Sequence, residues 1–192
     1  MKTKLIIMLM FIAFISCKNE KQAEPMSESK QEEAAVNKGG GQASVKDDGV
    51  SDANALQVAK SIEDFSTLVV AIETAGVEDA VVNAGPLTIF APLNSAFDKL
   101  PEGTVETLLK PENKATLNMI LINHVAPANY PIKQLKKEAK KGRKLYMASG
   151  KYLIVANEED GIYVGGTKIL KSVKVSNGWI HVIDDVLVPS ED

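Results

Sequence analysis

Residues 52–192 of the sequence predict an α+β fold, with helices gathered in the first half and strands in the second. Three observations carry this. Apolar residues recur at spacings of three and four from Phe65 to Leu121, the mark of helices with one buried face. From Arg143 the pattern changes to short β-branched and aromatic runs separated by Ser149-Gly150, Asp160-Gly161 and Gly165-Gly166, as hairpins require. Near the end, Asn177-Gly178 reads as a type I′ turn, whose central residues both need positive φ. The run that follows, Trp179–Val188, is apolar on both alternating faces, so an interior strand covered on both sides is expected, ended by Pro189. Asp184-Asp185 interrupts it. Two adjacent carboxylates cannot both face a dry core, so a bulge or a break is expected there.

The chain before this domain has a different character. Lys2 and Lys4 precede an apolar run of eleven residues, Leu5–Ile15. About 20 residues are needed to span a bilayer, so Met1–Ser16 reads as an export signal and not as a membrane span. Phe14-Ile15-Ser16-Cys17 resembles a bacterial lipobox, with Phe14 where Leu is usual, which implies cleavage before Cys17 and lipid attachment to it. More than one acyl chain on Cys17 would give stable anchoring. Cys17 is the only cysteine, so the domain is expected to hold by its core with no disulfide. Lys18–Ser51 contains no Phe, Trp or Tyr and includes Gly39-Gly40-Gly41. Such a composition cannot bury enough apolar surface to offset ordering, so residues 17–51 read as a lipidated cysteine and a disordered tether. A flexible chain of about 35 residues spans roughly 30–35 Å, enough to hold a domain clear of a membrane surface. The location expected is that of a bacterial outer-membrane lipoprotein, periplasmic or surface-exposed.

Within the domain, Ala53–Lys60 reads as a short helix capped by Asp52. A second helix opens at Asp64-Phe65-Ser66, buries Phe65, Leu68, Val69 and Ile72, and stops at Gly76. Val77–Asn83 is helical or irregular. Leu87–Ala91 is a strand by composition, stopped by Pro92, and Asn94 is an N-cap for Ser95–Leu100, with Phe97 and Leu100 inward. A helical turn follows at Val105–Leu109. A longer helix from Pro111 carries Leu117, Ile120, Leu121 and His124 on one face. Val125–Tyr130 is extended, and Pro131–Lys136 gives one more turn. The strands expected after that are Lys144–Ala148, Tyr152–Ala156, Ile162–Val164, Thr167–Val175 and Trp179–Val188.

These residues carry a family resemblance. Thr88-Ile89-Phe90-Ala91-Pro92-Leu93-Asn94-Ser95-Ala96-Phe97 resembles the first signature of the fasciclin (FAS1) domain. Asn177–Asp184 with Val186-Leu187-Val188-Pro189 resembles the second, and Leu121–Pro127 is similar to the central histidine segment. Phe65-Ser66-Thr67-Leu68 and Gly76 match the opening helix. The resemblance implies a wedge of mostly antiparallel strands with short helices around it, in proteins of cell surfaces and matrices that adhere through protein or polysaccharide and are not enzymes as a rule. In many animal members a tyrosine precedes the central histidine in an integrin-contact motif. Asn123 stands there instead, and Tyr130, six residues past His124, does not replace it.

Chemistry can be weighed apart from the resemblance. With Lys2 and Lys4 removed in the leader, 20 basic residues face 25 acidic ones, a formal charge of −5. That does not suggest a nucleic-acid partner. His181 with Asp184 or Asp185 could form a catalytic pair, or both histidines with a carboxylate a metal site. The competing expectation is that each imidazole is a buried group held by hydrogen bonds. No Gly-x-Ser-x-Gly, His-Glu-x-x-His or phosphate-cradling loop is present, and no metal or cofactor is expected. The strongest surface feature is Lys133, Lys136, Lys137, Lys140, Lys141, Arg143 and Lys144, seven cations in twelve positions of an acidic chain. It is either a solvated connector or an anion-binding patch for a matrix protein or acidic polysaccharide. The candidate partner-binding residues are therefore Asn123, His124 and Tyr130, together with Lys136, Lys137, Lys140, Lys141, Arg143 and Lys144. A concave apolar pocket beside His124 would instead mark a small-ligand carrier.

Overall fold

The structure is a computed structural model, and it describes residues 53–83 and 85–189. The export signal, Cys17 and the tether expected from the sequence lie outside the described residues.

Seven helices and seven strands are found among the described residues. The first helix, α1 (Ala55–Lys60), is capped by Asn54, not by Asp52, which is outside the described residues. Asn54 Oδ1 accepts the Gln57 N–H at 3.0 Å and Gln57 Oε1 accepts the Asn54 N–H at 2.8 Å, a reciprocal capping box. Helix α2 (Ser66–Ala75) follows a 3-10 turn at Glu63–Phe65 and ends at Gly76, whose φ of 68° is left-handed. Then come α3 (Glu78–Val82), β1 (Leu87–Pro92), α4 (Asn94–Phe97) and α5 (Thr104–Leu108). Helix α6 (Lys114–Ile122) leads through β2 (Val125–Ala126) to α7 (Ile132–Lys140). The remaining strands are β3 (Lys144–Tyr146), β4 (Tyr152–Glu158), β5 (Gly161–Val164), β6 (Thr167–Val175) and β7 (Gly178–Ile183).

The strands form one sheet in the order β2-β1-β7-β6-β5-β4-β3. Neighbours are antiparallel except β1 and β7, the second and third strands, which run parallel. This pair divides two cores. Leu87, Ile89 and Ala91 of β1 and Ile180 and Val182 of β7 pack with Leu56, Leu68, Ile72, Leu117 and Leu121 of the helices. The intervening Phe90 and Ile183 pack instead with Leu135 of α7 and with Leu145, Val155, Ile162 and Val164 of the hairpins. Alternation of side chains across a sheet thus explains why β7 is apolar in both registers, as expected of an interior strand.

Several elements differ from the expectation. Strand β7 ends at Ile183, so the expected break at Asp184-Asp185 is found, but the chain does not resume as strand to Val188. Lys99 Nζ lies 3.1 Å from Asp185 Oδ1 and 3.8 Å from Asp184 Oδ2, while Asp184 Oδ1 accepts the Lys168 N–H at 3.2 Å. The carboxylates find partners at the sheet end, and the β6–β7 register shifts just before it, between Ile169 and Lys171 on β6. The β6–β7 turn is Ser176-Asn177, one residue earlier than expected, because Val175 pairs with Gly178. Gly178 belongs to the strand and must be glycine, since a Cβ there would stand 1.8 Å from the Leu87 carbonyl oxygen of β1. Asn94 does not cap its own helix. Its Oδ1 accepts the Thr67 N–H at 3.0 Å, and its amide donates to Ser66 Oγ at 2.9 Å, so it caps α2. Finally, the segment expected to be one turn is the nine-residue α7.

Candidate functional site

His124 lies just past the end of α6, not on its helical face, and is 3 % exposed. Its Nδ1–H donates to the Ile120 carbonyl at 2.8 Å, and its Nε2 accepts the Leu187 N–H at 2.9 Å. These partners define a neutral imidazole with the proton on Nδ1. Burial lowers its pKa from 6.5 to about 4, the bond to the Ile120 carbonyl opposing only part of that shift. Beside it, Asn123 is fully buried. Its amide donates to the Leu187 carbonyl at 3.0 Å and its Oδ1 accepts the Ser149 hydroxyl at 2.7 Å. A partner on the outside therefore has no access to either side chain.

His181 is spent in the same way. Its Nε2–H donates to the Tyr130 carbonyl at 2.7 Å and its Nδ1 accepts the Ser172 hydroxyl at 2.7 Å. Burial holds its pKa below the ordinary value. The Tyr130 N–H donates to Thr88 Oγ1 at 2.9 Å, so the backbone of Tyr130 is part of this internal network. Burial of the phenol, followed by the nearby Glu138 charge, raises the Tyr130 pKa. The Asp184 and Asp185 carboxylates lie toward Lys99 and make no recorded bond to His181. Among the described residues no cluster of three or more His, Cys, Asp and Glu could hold a metal ion. Both imidazoles act as internal crosslinks, not as a catalytic pair.

The cavity that touches His124 is apolar and about 20 Å³, room for about one water. A small metabolite does not fit it.

The cations are arranged differently. Leu135 and Glu138 turn α7 inward, and Lys133, Lys136, Lys137, Lys140 and Lys141 all lie exposed. Their spacing of i, i+3, i+4, i+7 and i+8 places them on one face of the helix, about 12 Å long at 1.5 Å per residue. Arg143 approaches Glu138, with Nη1 3.8 Å from Oε2, and the Glu138 carboxylate also accepts the Gln134 amide. The five lysines and Lys144 make no ion pair with any described residue. The basic run is thus a solvated helical face followed by a sheet edge. Asn123 and His124 belong to the interior and the lysines to the surface, so the residues expected as partner contacts form no single site.

One surface feature went unrecognised in the sequence. The outer face of β3 and β4 carries Tyr146, Tyr152 and Ile154 at 48, 61 and 62 % exposure. Tyr152-Leu153-Ile154-Val155-Ala156 is apolar on both faces, the same signal that marks β7 as interior, but here one face stays open.

A mixed seven-stranded sheet with one parallel pair and helices packed against it is the FAS1 fold. A FAS1 domain pair from the insect cell adhesion molecule fasciclin I superposes with a TM-score of 0.64 at 22 % identity, over 73 % of this chain and 52 % of that one. This chain spans about half the length of that solved structure. The Fasciclin domain family profile matches residues 63–189. Protein sll1483 of Synechocystis is 41 % identical over 135 residues, 70 % of this chain and 72 % of its own. Human periostin is 30 % identical over 144 residues, 69 % of this chain but 16 % of periostin. The chain belongs to the fasciclin domain family.

Proposed function

We propose that this protein is a non-enzymatic, lipid-anchored surface module that attaches its cell to an anionic partner in the surrounding matrix, either an acidic polysaccharide or an acidic surface protein. The observation that carries this is the exposed lysine face of α7, which makes no ion pair among the described residues of an otherwise acidic chain. Like charges at i, i+4 cost a helix a few tenths of a kcal/mol per pair, and an anion laid along them removes that cost. Export through Met1–Ser16 and acylation at Cys17, with residues 18–51 as a leash, would present this face away from the membrane. A second reading, a small-ligand carrier using a pocket at His124, meets there a cavity with room for about one water.

The test has two arms. Cys17→Ser should release the full chain from the membrane fraction, and protease applied to intact cells should free residues 52–192. The full chain should be retained on heparin and alginate resins at low salt and released at high salt. If changing Lys136, Lys137, Lys140 and Lys141 together to Gln leaves retention and cell attachment unaltered, the proposal fails.

A further inference from the structure

An antiparallel ribbon packed on a core by one face normally turns polar side chains to water from the other. Strands β3 and β4 do not. Leu145, Met147 and Val155 lie in the second core, whereas the alternate positions Tyr146, Tyr152 and Ile154 face outward. Tyr146 and Tyr152 are direct cross-strand partners, with ring centroids 5.4 Å apart and planes tilted by 59°. Tyr152 and Ile154 of this face, with Tyr163 of β5 and Val188 (58 % exposed), line an open groove of about 770 Å³, and Tyr146 stands just outside that lining against Tyr152.

The charges around the groove narrow the choice of occupant. Lys144 sits opposite Ile154 in the ladder, and Lys151 lines the groove beside Tyr152. Lys144 is also the last cation of the basic run, so positive charge passes from α7 through Lys141 and Arg143 to this face by way of the edge strand. Glu158 lines the groove at the other end of β4, about 20 Å from Tyr152 at 3.3 Å per residue. A ligand therefore meets cations and the Tyr152 ring, backed by Tyr146, at one end and Tyr163 with a carboxylate at the other. Sugar rings present apolar C–H faces that stack on aromatic rings, and uronic acids add a carboxylate at the ring edge. Tyrosines fixed on paired strands lose little conformational freedom when a ring settles on them. A polyanion without rings would use the lysines and gain nothing from the tyrosines.

We infer that the outer face of β3 and β4 and the groove beside it bind an acidic oligosaccharide, with Tyr152 and the adjoining Tyr146 carrying the sugar rings and Lys144 pairing with the carboxylates. The inference rests on the matrix-attachment reading and names the chemistry of the partner. Titration calorimetry of the full chain at low salt should compare alginate oligomers (acidic, with rings), dextran oligomers (neutral, with rings) and polyphosphate (acidic, without rings). Alginate should bind more tightly than dextran. Replacing both tyrosines with Ala should weaken alginate binding tenfold or more and leave polyphosphate binding unchanged, while replacing both with Phe should keep alginate binding. Since both side chains are exposed, these variants should retain the parent's unfolding midpoint. Alginate binding that is absent, matched by dextran, or indifferent to the Ala substitutions overturns the inference. If the α7 Lys→Gln variant loses both polyanions while the tyrosine variant keeps both, the attachment reading stands and the groove does not.

Discussion

Leu187 is held by its backbone at both polar atoms. His124 Nε2 accepts its N–H at 2.9 Å, and its carbonyl accepts the side-chain amide N–H of the adjacent Asn123 at 3.0 Å. These two bonds tie the chain beyond β7 to the end of α6, and they place the Leu187 side chain in the second core. The first needs an unprotonated Nε2, so the clasp depends on pH. His124 has a pKa of about 4 when folded and an ordinary value of 6.5 when unfolded. The unfolded chain therefore takes up the proton first as pH falls. The stability is fully present above about pH 6.5, declines below it, and is lost once pH has passed through about 4. The drop in pKa corresponds to roughly 3 kcal/mol. His181, also lowered by burial, adds to the same slope. Urea midpoints measured from pH 7.5 to 4 should fall accordingly, and His124→Gln should be less stable at pH 7 with a flatter profile. An equally steep profile in the variant would contradict this assignment.

Asn177 should be among the least replaceable residues of the sheet. Its Oδ1 accepts the Ala55 N–H at 3.1 Å, and its amide donates to the carbonyls of Val81 at 2.9 Å and Asn83 at 3.2 Å. Its own carbonyl accepts the Leu87 N–H at 2.9 Å. One buried side chain thus joins α1, α3 and the β6–β7 turn. Asn177→Ala strands a buried donor and acceptors, a cost of about 3 kcal/mol. Hydrogen exchange should quicken first in α1. Uniform protection, unchanged from the parent, would remove this role.

The lysine face of α7 should contribute almost nothing to folding. Lys133–Lys137, Lys136–Lys140 and Lys137–Lys141 are repelling i, i+4 pairs, each costing a few tenths of a kcal/mol. Against that, Lys137 and Lys140 lie in the last turn, where cations favour the helix dipole by a similar amount. The two effects offset, so the fourfold Gln variant should unfold within about 0.5 kcal/mol of the parent. Circular dichroism under urea checks it. A large loss of stability would make α7 a structural helix first, and the retention experiment would then need single substitutions.

Much of this fold can be read from periodicity, because burial on one or both faces writes directly into residue spacing. The interior β7, the helical first half and the hairpins follow from it. The boundaries do not. Asn177-Gly178 carries the pattern of a hairpin turn, yet close approach of Leu87 fixes Gly178 in the strand and moves the turn back by one residue. Asp184-Asp185 ends β7 early because Lys99, 85 residues away from Asp184, stands where the carboxylates can meet it. That contact belongs to tertiary structure alone. The same limit applies to the surface. Lysine spacing identifies a charged face, but the tyrosine face needs knowledge of which side of β4 the core covers. Asn123 and His124 show the converse, since polar residues in a signature segment can serve the interior and never meet a partner.

Asn94 offers a direct check on one such long-range contact. By sequence it precedes a helix and should cap it, but α4 is only four residues long and begins with Leu93 as its cap. The Asn94 carboxamide instead reaches back 27 residues to accept the Thr67 N–H in the first turn of α2, and it also donates to Ser66 Oγ and to the Glu63 carbonyl at 3.2 Å. Loss of an N-cap costs about 1 kcal/mol. Asn94→Ala should therefore destabilise the protein by about that amount, with faster amide exchange in the first turn of α2 and unchanged exchange in α4. Asn94→Asp should keep most of the stability, because a carboxylate still accepts the Thr67 N–H and suits a helix N-terminus, although it loses the two donated bonds. If exchange instead rises in α4 alone, Asn94 caps its own helix and the contact with Thr67 carries no weight.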